Sequence, residues 1–177
     1  MTTATRAPRI TEPNGDPALA TALADFLREA VKCRELDVVV DEMVRLRCAR
    51  QHDCRLCQTV RTGDAVRAGL DDQQIGKIDF YESSDLDERA KAALRVVDWF
   101  ITRPVPADTP VLDPARAQYR ELELADLCVH IARNSSQKIM VALGIDGTDH
   151  LDLDEDGHSY FDYDAEGTRT TTSRPDT

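Results

Sequence analysis

Between positions 16 and 145, apolar residues recur at spacings of three and four, and no alternating β-branched run interrupts them, so the body reads as all-α. Asp16-Pro17 supplies a cap and a first-turn proline, and Leu19, Leu23, Phe26, Leu27 and Ala30 carry a first helix to about Cys33. A second helix spans about 36 to 51, with Val39, Met43, Leu46 and Ala49 inward. A third opens at Cys54 and Cys57 and ends near Gly69, after which a short helix restarts. Ser84 and Asp87 precede the clearest amphipathic stripe: Leu86, Ala90, Ala93, Leu94, Val97 and Phe100. The four prolines of RPVPADTPVLDP end it. One long helix from about 114 to 143 follows, carried by Leu122, Ala125, Cys128, Val129, Ala132, Ile139 and Leu143, with Gly144 as its stop.

Composition adds boundaries. The chain has 177 residues, the size of one domain. Residues 1–15 read as a flexible arm, 16–145 as a compact helical bundle and 146–177 as an acidic tail. That tail holds ten carboxylates and two arginines, so it carries −8 of the net charge of −11. A solvated tail is the expectation, although SYFDYD has the aromatic content to pack on the body. The acidic balance argues against a nucleic-acid surface. No stretch approaches the roughly 18 apolar residues of a membrane span, and MTTATRAPRITEPNGDP lacks the apolar core of a leader, which predicts a cytoplasmic protein without a membrane partner. Five cysteines, an odd number, fit free thiols in a reducing compartment, where any disulfide is transient.

The chemistry concentrates in HDCRLCQTVR, residues 52–61. Asp53 as N-cap would place Cys54 at the first helical position and Cys57 one turn on, so that both sulfurs share a face near the positive end of the helix. Arg45, Arg47, Arg50, Arg55 and Arg61 stand against Glu42 and Asp53 in residues 42–61, a local +3 that favours thiolate. A redox dithiol, a zinc site and a pair of structural cysteines all remain open, although zinc needs two further ligands and only His52 is adjacent. No metal or cofactor is expected. DLDEDG, residues 152–157, starts like a calcium loop, but Tyr163 stands where a bidentate glutamate is required. Cys33, Cys48 and Cys128 fall singly on helical patterns and read as core residues, and His130 reads as a hydrogen-bonded interhelical histidine.

DEMVRLRCARQHDCRLCQTVRTGDAVRAGL, residues 41–70, resembles the signature of the carboxymuconolactone decarboxylase and alkylhydroperoxidase D superfamily. In that signature a glutamate on one helix precedes a Cys-x-x-Cys pair opening the next, with a histidine four residues after the second cysteine. The resemblance covers about residues 16–145 and implies an all-α fold assembled into trimers or hexamers. It also implies reduction of a hydroperoxide at the expense of a thiol or dithiol donor. By the same resemblance Cys57 attacks the peroxide, Cys54 resolves it as a disulfide and Glu42 serves a proton relay. The histidine position is occupied by Arg61, which cannot act as a general base. Arg61 could instead lower the thiolate pKa from the helical face of Cys57, or bridge Glu42; His52 is the other candidate acid/base. Decarboxylation of a carboxymuconolactone-like acid and a non-enzymatic redox-sensing oligomer are the alternative functions.

Overall fold

The computed structural model describes residues 6–10, 15–102, 110 and 112–175. Asp16 caps α1 (Pro17–Lys32) by accepting the amides of Ala18 and Leu19. Asp37 does the same for α2 (Val38–Gln51) through the amides of Val39 and Val40. α3 (Arg55–Thr59), β1 (Val60–Thr62) and α4 (Gly63–Arg67) follow. α5 (Asp72–Lys77) runs into a 3-10 turn at Ile78–Ser83. The Asp87 carboxylate receives the Ala90 amide at the start of α6 (Glu88–Thr102). α7 (Leu112–Gln118), α8 (Glu121–Ser135) and α9 (Lys138–Leu143) complete the helices among the described residues, and β2 (Ser159–Tyr163) and β3 (Arg169–Thr172) close the chain.

α2 is the axis of the molecule because its apolar residues point to more than one side. Val40, Val44 and Cys48 meet Ala93, Val96 and Val97 of α6 and Leu127 and Ile131 of α8. Met43 and Leu46 meet Leu70, Ile75, Ile78 and Leu94 in a second cluster. Cys48 is fully buried and burial pushes its thiol up to about 12, as suits an inert core residue. Cys33, expected in the core, is exposed at the end of α1. His130 of α8 does tie helices together: it pairs with Asp41 of α2 and reaches the Ala30 carbonyl of α1 at 3.0 Å.

Three expectations about the secondary-structure elements change. The body is mostly helical, but it carries a three-stranded sheet in the order β1-β2-β3. The single helix expected from Cys54 to Gly69 is broken at Val60–Thr62, because β1 pairs in parallel with β2: Val60 opposite Ser159 and Thr62 opposite Phe161. β2 pairs antiparallel with β3, with Tyr160 opposite Thr172. A long-range ladder overrides the local helical pattern in a segment that holds Val and Thr. The long helix expected over 114–143 is broken twice. Glu123 folds back onto the Arg120 amide at 2.7 Å, restarting the helix there, and the Ser136 hydroxyl bonds the Arg133 carbonyl at 2.6 Å where α8 ends. Of the proline-rich break, residues 103–109 and 111 lie outside the described residues.

The acidic segment is not a solvated tail over residues 159–172. Tyr160 and Phe161 are buried, and Gly167, in the left-handed region at φ 78°, brings the hairpin turn so close to the Arg28 carbonyl that a Cβ there would stand 2.6 Å from it. Of the expected flexible arm, residues 6–10 are tied down. Arg6 bridges Asp146 at 2.9 Å, and the Arg9 amide bonds the Leu143 carbonyl at 2.8 Å beside the left-handed Gly144 that ends α9. Several residues of the expected apolar stripes face outward instead, Leu19, Phe26, Phe100, Leu122 and Ile139 among them.

Candidate active site

Cys54 and Cys57 are joined as a disulfide with 5.3 Å between their Cα atoms. Their surroundings are apolar: Ala49, Val141 and Leu56. The cap differs by one residue from the expectation. Cys54 itself is the N-cap of α3, its sulfur receiving the Cys57 amide at 3.3 Å, while Asp53 takes a left-handed conformation at φ 55° and bridges Arg6. α3 has only five residues, so the dipole argument for the thiolate is weaker than a full helix would make it. What secures the start of α3 is a residue from far along the chain. The side chain of Asp146, fully buried, accepts the Arg55 amide at 3.1 Å and the Arg55 guanidinium at 3.2 Å, and its carbonyl accepts the Leu56 amide. Burial opposes its ionisation, but the hydrogen bonds from Arg55 and the charges of Arg55 and Arg6 outweigh that and hold its pKa below the ordinary carboxylate value.

Glu42 is 2% exposed and paired, but not with Arg61. Arg45, one turn on in α2, forks onto both Glu42 oxygens at 2.6 and 2.7 Å. The rest of the same guanidinium donates to the carbonyls of Cys57 at 2.8 Å and Val60 at 2.6 Å, and Glu42 also accepts the Thr62 amide at 3.2 Å. This pair pins the segment from Cys57 to Thr62 onto α2. Burial works against the charge of Arg45, and Glu42 outweighs it and raises its pKa.

Arg61 sits on β1 rather than on the helical face of Cys57. Its guanidinium donates to the carbonyls of Gln58 and Val60 and to His158 Nε2 at 2.9 Å. It lines a cavity with Asp72, Tyr160 and Arg174, whereas Cys57 lines another with Arg45, Phe161 and Tyr163. The expected Arg61–Glu42 bridge is absent, and the electrostatic role proposed for Arg61 at Cys57 loses its geometric basis. His52 caps the C-terminal end of α2. Burial and the nearby Lys138 lower its pKa, and it lines neither of those two cavities. The sequence reading named Arg45 only among the cations around the cysteines and not as the partner of Glu42, and it did not single out Asp146 or His158. Arg45 had a signal, the three-residue spacing from Glu42; Asp146 and His158 had none, since long-range folding alone brings them here.

The Cys57 cavity, about 410 Å³, is walled by Leu56, Met140, Phe161 and Tyr163 and rimmed by arginines. Cys57 lines it and Cys54 does not. No group of three or more metal-ligating side chains occurs among the described residues, and no described helix is long and apolar enough to cross a membrane.

Residues 17–99 match the model of the carboxymuconolactone decarboxylase family. The chain carries a carboxymuconolactone decarboxylase family region. An uncharacterized protein of Mycobacterium tuberculosis, found in two strains, is 37% identical over 149 residues, covering 80% of this chain. The chain spans 52% of that relative's length. Among solved structures, an Agrobacterium tumefaciens protein of unknown function, described in connection with antioxidant defence as AhpD, aligns with a TM-score of 0.64 and 19% identity over 82% of this chain and 100% of its own. The debrominase Bmp8, solved as a Cys-to-Ala variant with 2,3,4-tribromopyrrole, aligns with a TM-score of 0.60 and 16% identity over 75% of this chain and 71% of its own. Both are similar in fold.

Proposed function

We propose that the chain is a thiol-dependent peroxidase or disulfide oxidoreductase acting through Cys57 and Cys54. The observation that carries this reading is the asymmetry of the pair: Cys57 lines a ligand-sized cavity, while its bonded partner Cys54 is fully buried behind it. In the reduced protein the Cys57 thiolate attacks the outer oxygen of a hydroperoxide, giving a sulfenic acid and an alkoxide that takes a proton from water. The Cys54 thiol then displaces hydroxide from that sulfur, forming the disulfide and water. An external thiol or dithiol returns two electrons and restores both thiols. Glu42 serves here by holding Arg45 and through it the Cys57 carbonyl, rather than by carrying a proton.

The cavity's described lining contains no histidine or carboxylate, which supports the redox-sensing module as the second reading: oxidation without efficient turnover. Free-thiol counts before and after one equivalent of cumene hydroperoxide, with peroxide consumption followed under dithiothreitol, separate the two. The peroxidase loses two thiols per chain and turns over; Cys57→Ser abolishes both, and Cys54→Ser stops at a sulfenic acid that dimedone traps. Oxidation without turnover favours the sensor, and a pair that never oxidises overturns both. The outward Leu19, Phe26, Leu122 and Ile139 support assembly into a homo-oligomer, for which light scattering should return a multiple of 19.7 kDa and a strict monomer would be contrary.

A further inference from the structure

Four arginines line the Cys57 cavity, and their charges are not equivalent. Arg45 is neutralised by Glu42, and Arg28 bridges Asp25. Arg133 and Arg169 form no ion pair with any carboxylate among the described residues. Arg133, on α8, is 7% exposed; its guanidinium donates to the Tyr163 hydroxyl, but its buried Nε has no hydrogen-bond partner. Arg169, on β3, lies 4.0 Å above the centre of the Phe161 ring, which orients it without discharging it. A buried guanidinium N–H left unpaired beside an open cavity is costly unless an acceptor arrives from outside. Leu27, Leu56, Met140 and Phe161 make much of the remaining wall apolar, beside the polar Gln137, Thr168 and Tyr163, so a fully hydrated ion such as inorganic phosphate matches only part of the cavity.

We infer that this cavity binds small amphipathic carboxylates, the carboxylate held between Arg133 and Arg169 and the apolar part laid against Phe161, Leu56 and Met140 beside Cys57. The two cations set the charge of the ligand, and the volume of about 410 Å³ limits its apolar part to about a phenylalkyl group or a short acyl chain. Resting on the reading of Cys57 as the reactive sulfur, this makes the substrate class hydroperoxides that bear a carboxylate. Fork-like donation from arginine also explains why arginine rather than lysine suits these two positions.

Calorimetric titration of the full oxidised chain with 3-phenylpropanoate and with its neutral counterpart 3-phenylpropanamide tests the inference without any turnover. The carboxylate is expected to bind about tenfold more tightly, as one charge-assisted hydrogen bond allows. Arg133→Gln and the exposed Arg169→Gln should each bring it close to parity with the amide; the second variant keeps the test valid if the first does not fold. In the reduced protein 3-phenylpropanoate should slow iodoacetamide alkylation of Cys57, which locates the site. Equal affinity for the two probes, or a preference that survives Arg169→Gln together with Arg133→Gln, overturns the inference. Carboxylate preference without peroxide turnover leaves the inference standing and removes the peroxidase reading, and turnover without the preference does the reverse.

Discussion

Glu42→Ala is expected to cost about 3–5 kcal/mol of stability, the effect of stranding a buried charge by removing its partner. Arg45 would lose its counterion and, with the fork that orients it, its hold on the Cys57 and Val60 carbonyls, and the Thr62 amide would lose its acceptor. Urea unfolding of the oxidised protein measures the loss. The double variant Glu42→Leu with Arg45→Met should be much closer to wild type, because it removes both charges and fills the space. Function divides the two roles that Glu42 could have. A carboxylate that only holds Arg45 predicts faster alkylation of reduced Cys57 in Glu42→Ala, since the segment after the cysteine is no longer pinned. It also predicts an alkylation rate in the double variant that rises likewise. A proton relay predicts instead that peroxide turnover collapses while alkylation stays unchanged. That second pattern would overturn the assignment of Glu42 as a positioning residue.

The parts of the fold legible in the sequence are those set by local spacing. Asp16 and Asp37 cap helices where oxygen side chains precede apolar periodicity, α6 buries its stripe from Ala90 to Val97 with only Phe100 turned outward, and Gly144 stops α9 in the left-handed conformation. The cysteine pair was legible for the same reason, a three-residue spacing at a helix start. What failed depends on partners distant in the chain. Val60–Thr62 leaves the helical pattern only because residues 159–161 run beside it; the aromatics of SYFDYD marked that segment as able to pack, but not against which partner. The partner of Glu42 is a different case. Glu42 and Arg45 are neighbours on one helix turn, a signal present in DEMVR, but the expectation tied Glu42 to Arg61 through an α3 extended too far. Once α3 ends at Thr59, Arg61 moves onto the strand and away from the cavity of Cys57.

Asp146→Asn should lower stability by about 3 kcal/mol near neutral pH and shift the reactivity of the cysteines, although it lies 89 residues beyond Cys57 in sequence. The asparagine oxygen can still accept the Arg55 amide, so the lost term is the charge that Arg55 and Arg6 share. The pH dependence has a definite sign. The folded protein holds this carboxyl below its ordinary pKa, so its contribution is complete above about pH 4 and is lost as pH falls through the folded value. Wild type and variant should therefore converge in acid, which urea midpoints across pH 3 to 7 measure. The electrostatic consequence runs the other way. Removing a negative charge next to the start of α3, and leaving the Arg55 guanidinium without a carboxylate there while Arg6 keeps Asp53, favours thiolate in the reduced pair, so the pH midpoint of iodoacetamide alkylation should fall. An unmoved midpoint with reduced stability would make Asp146 a latch between the arm, α3 and the end of α9. A lowered midpoint makes it a brake on cysteine ionisation, placed by the same contacts that hold the fold together.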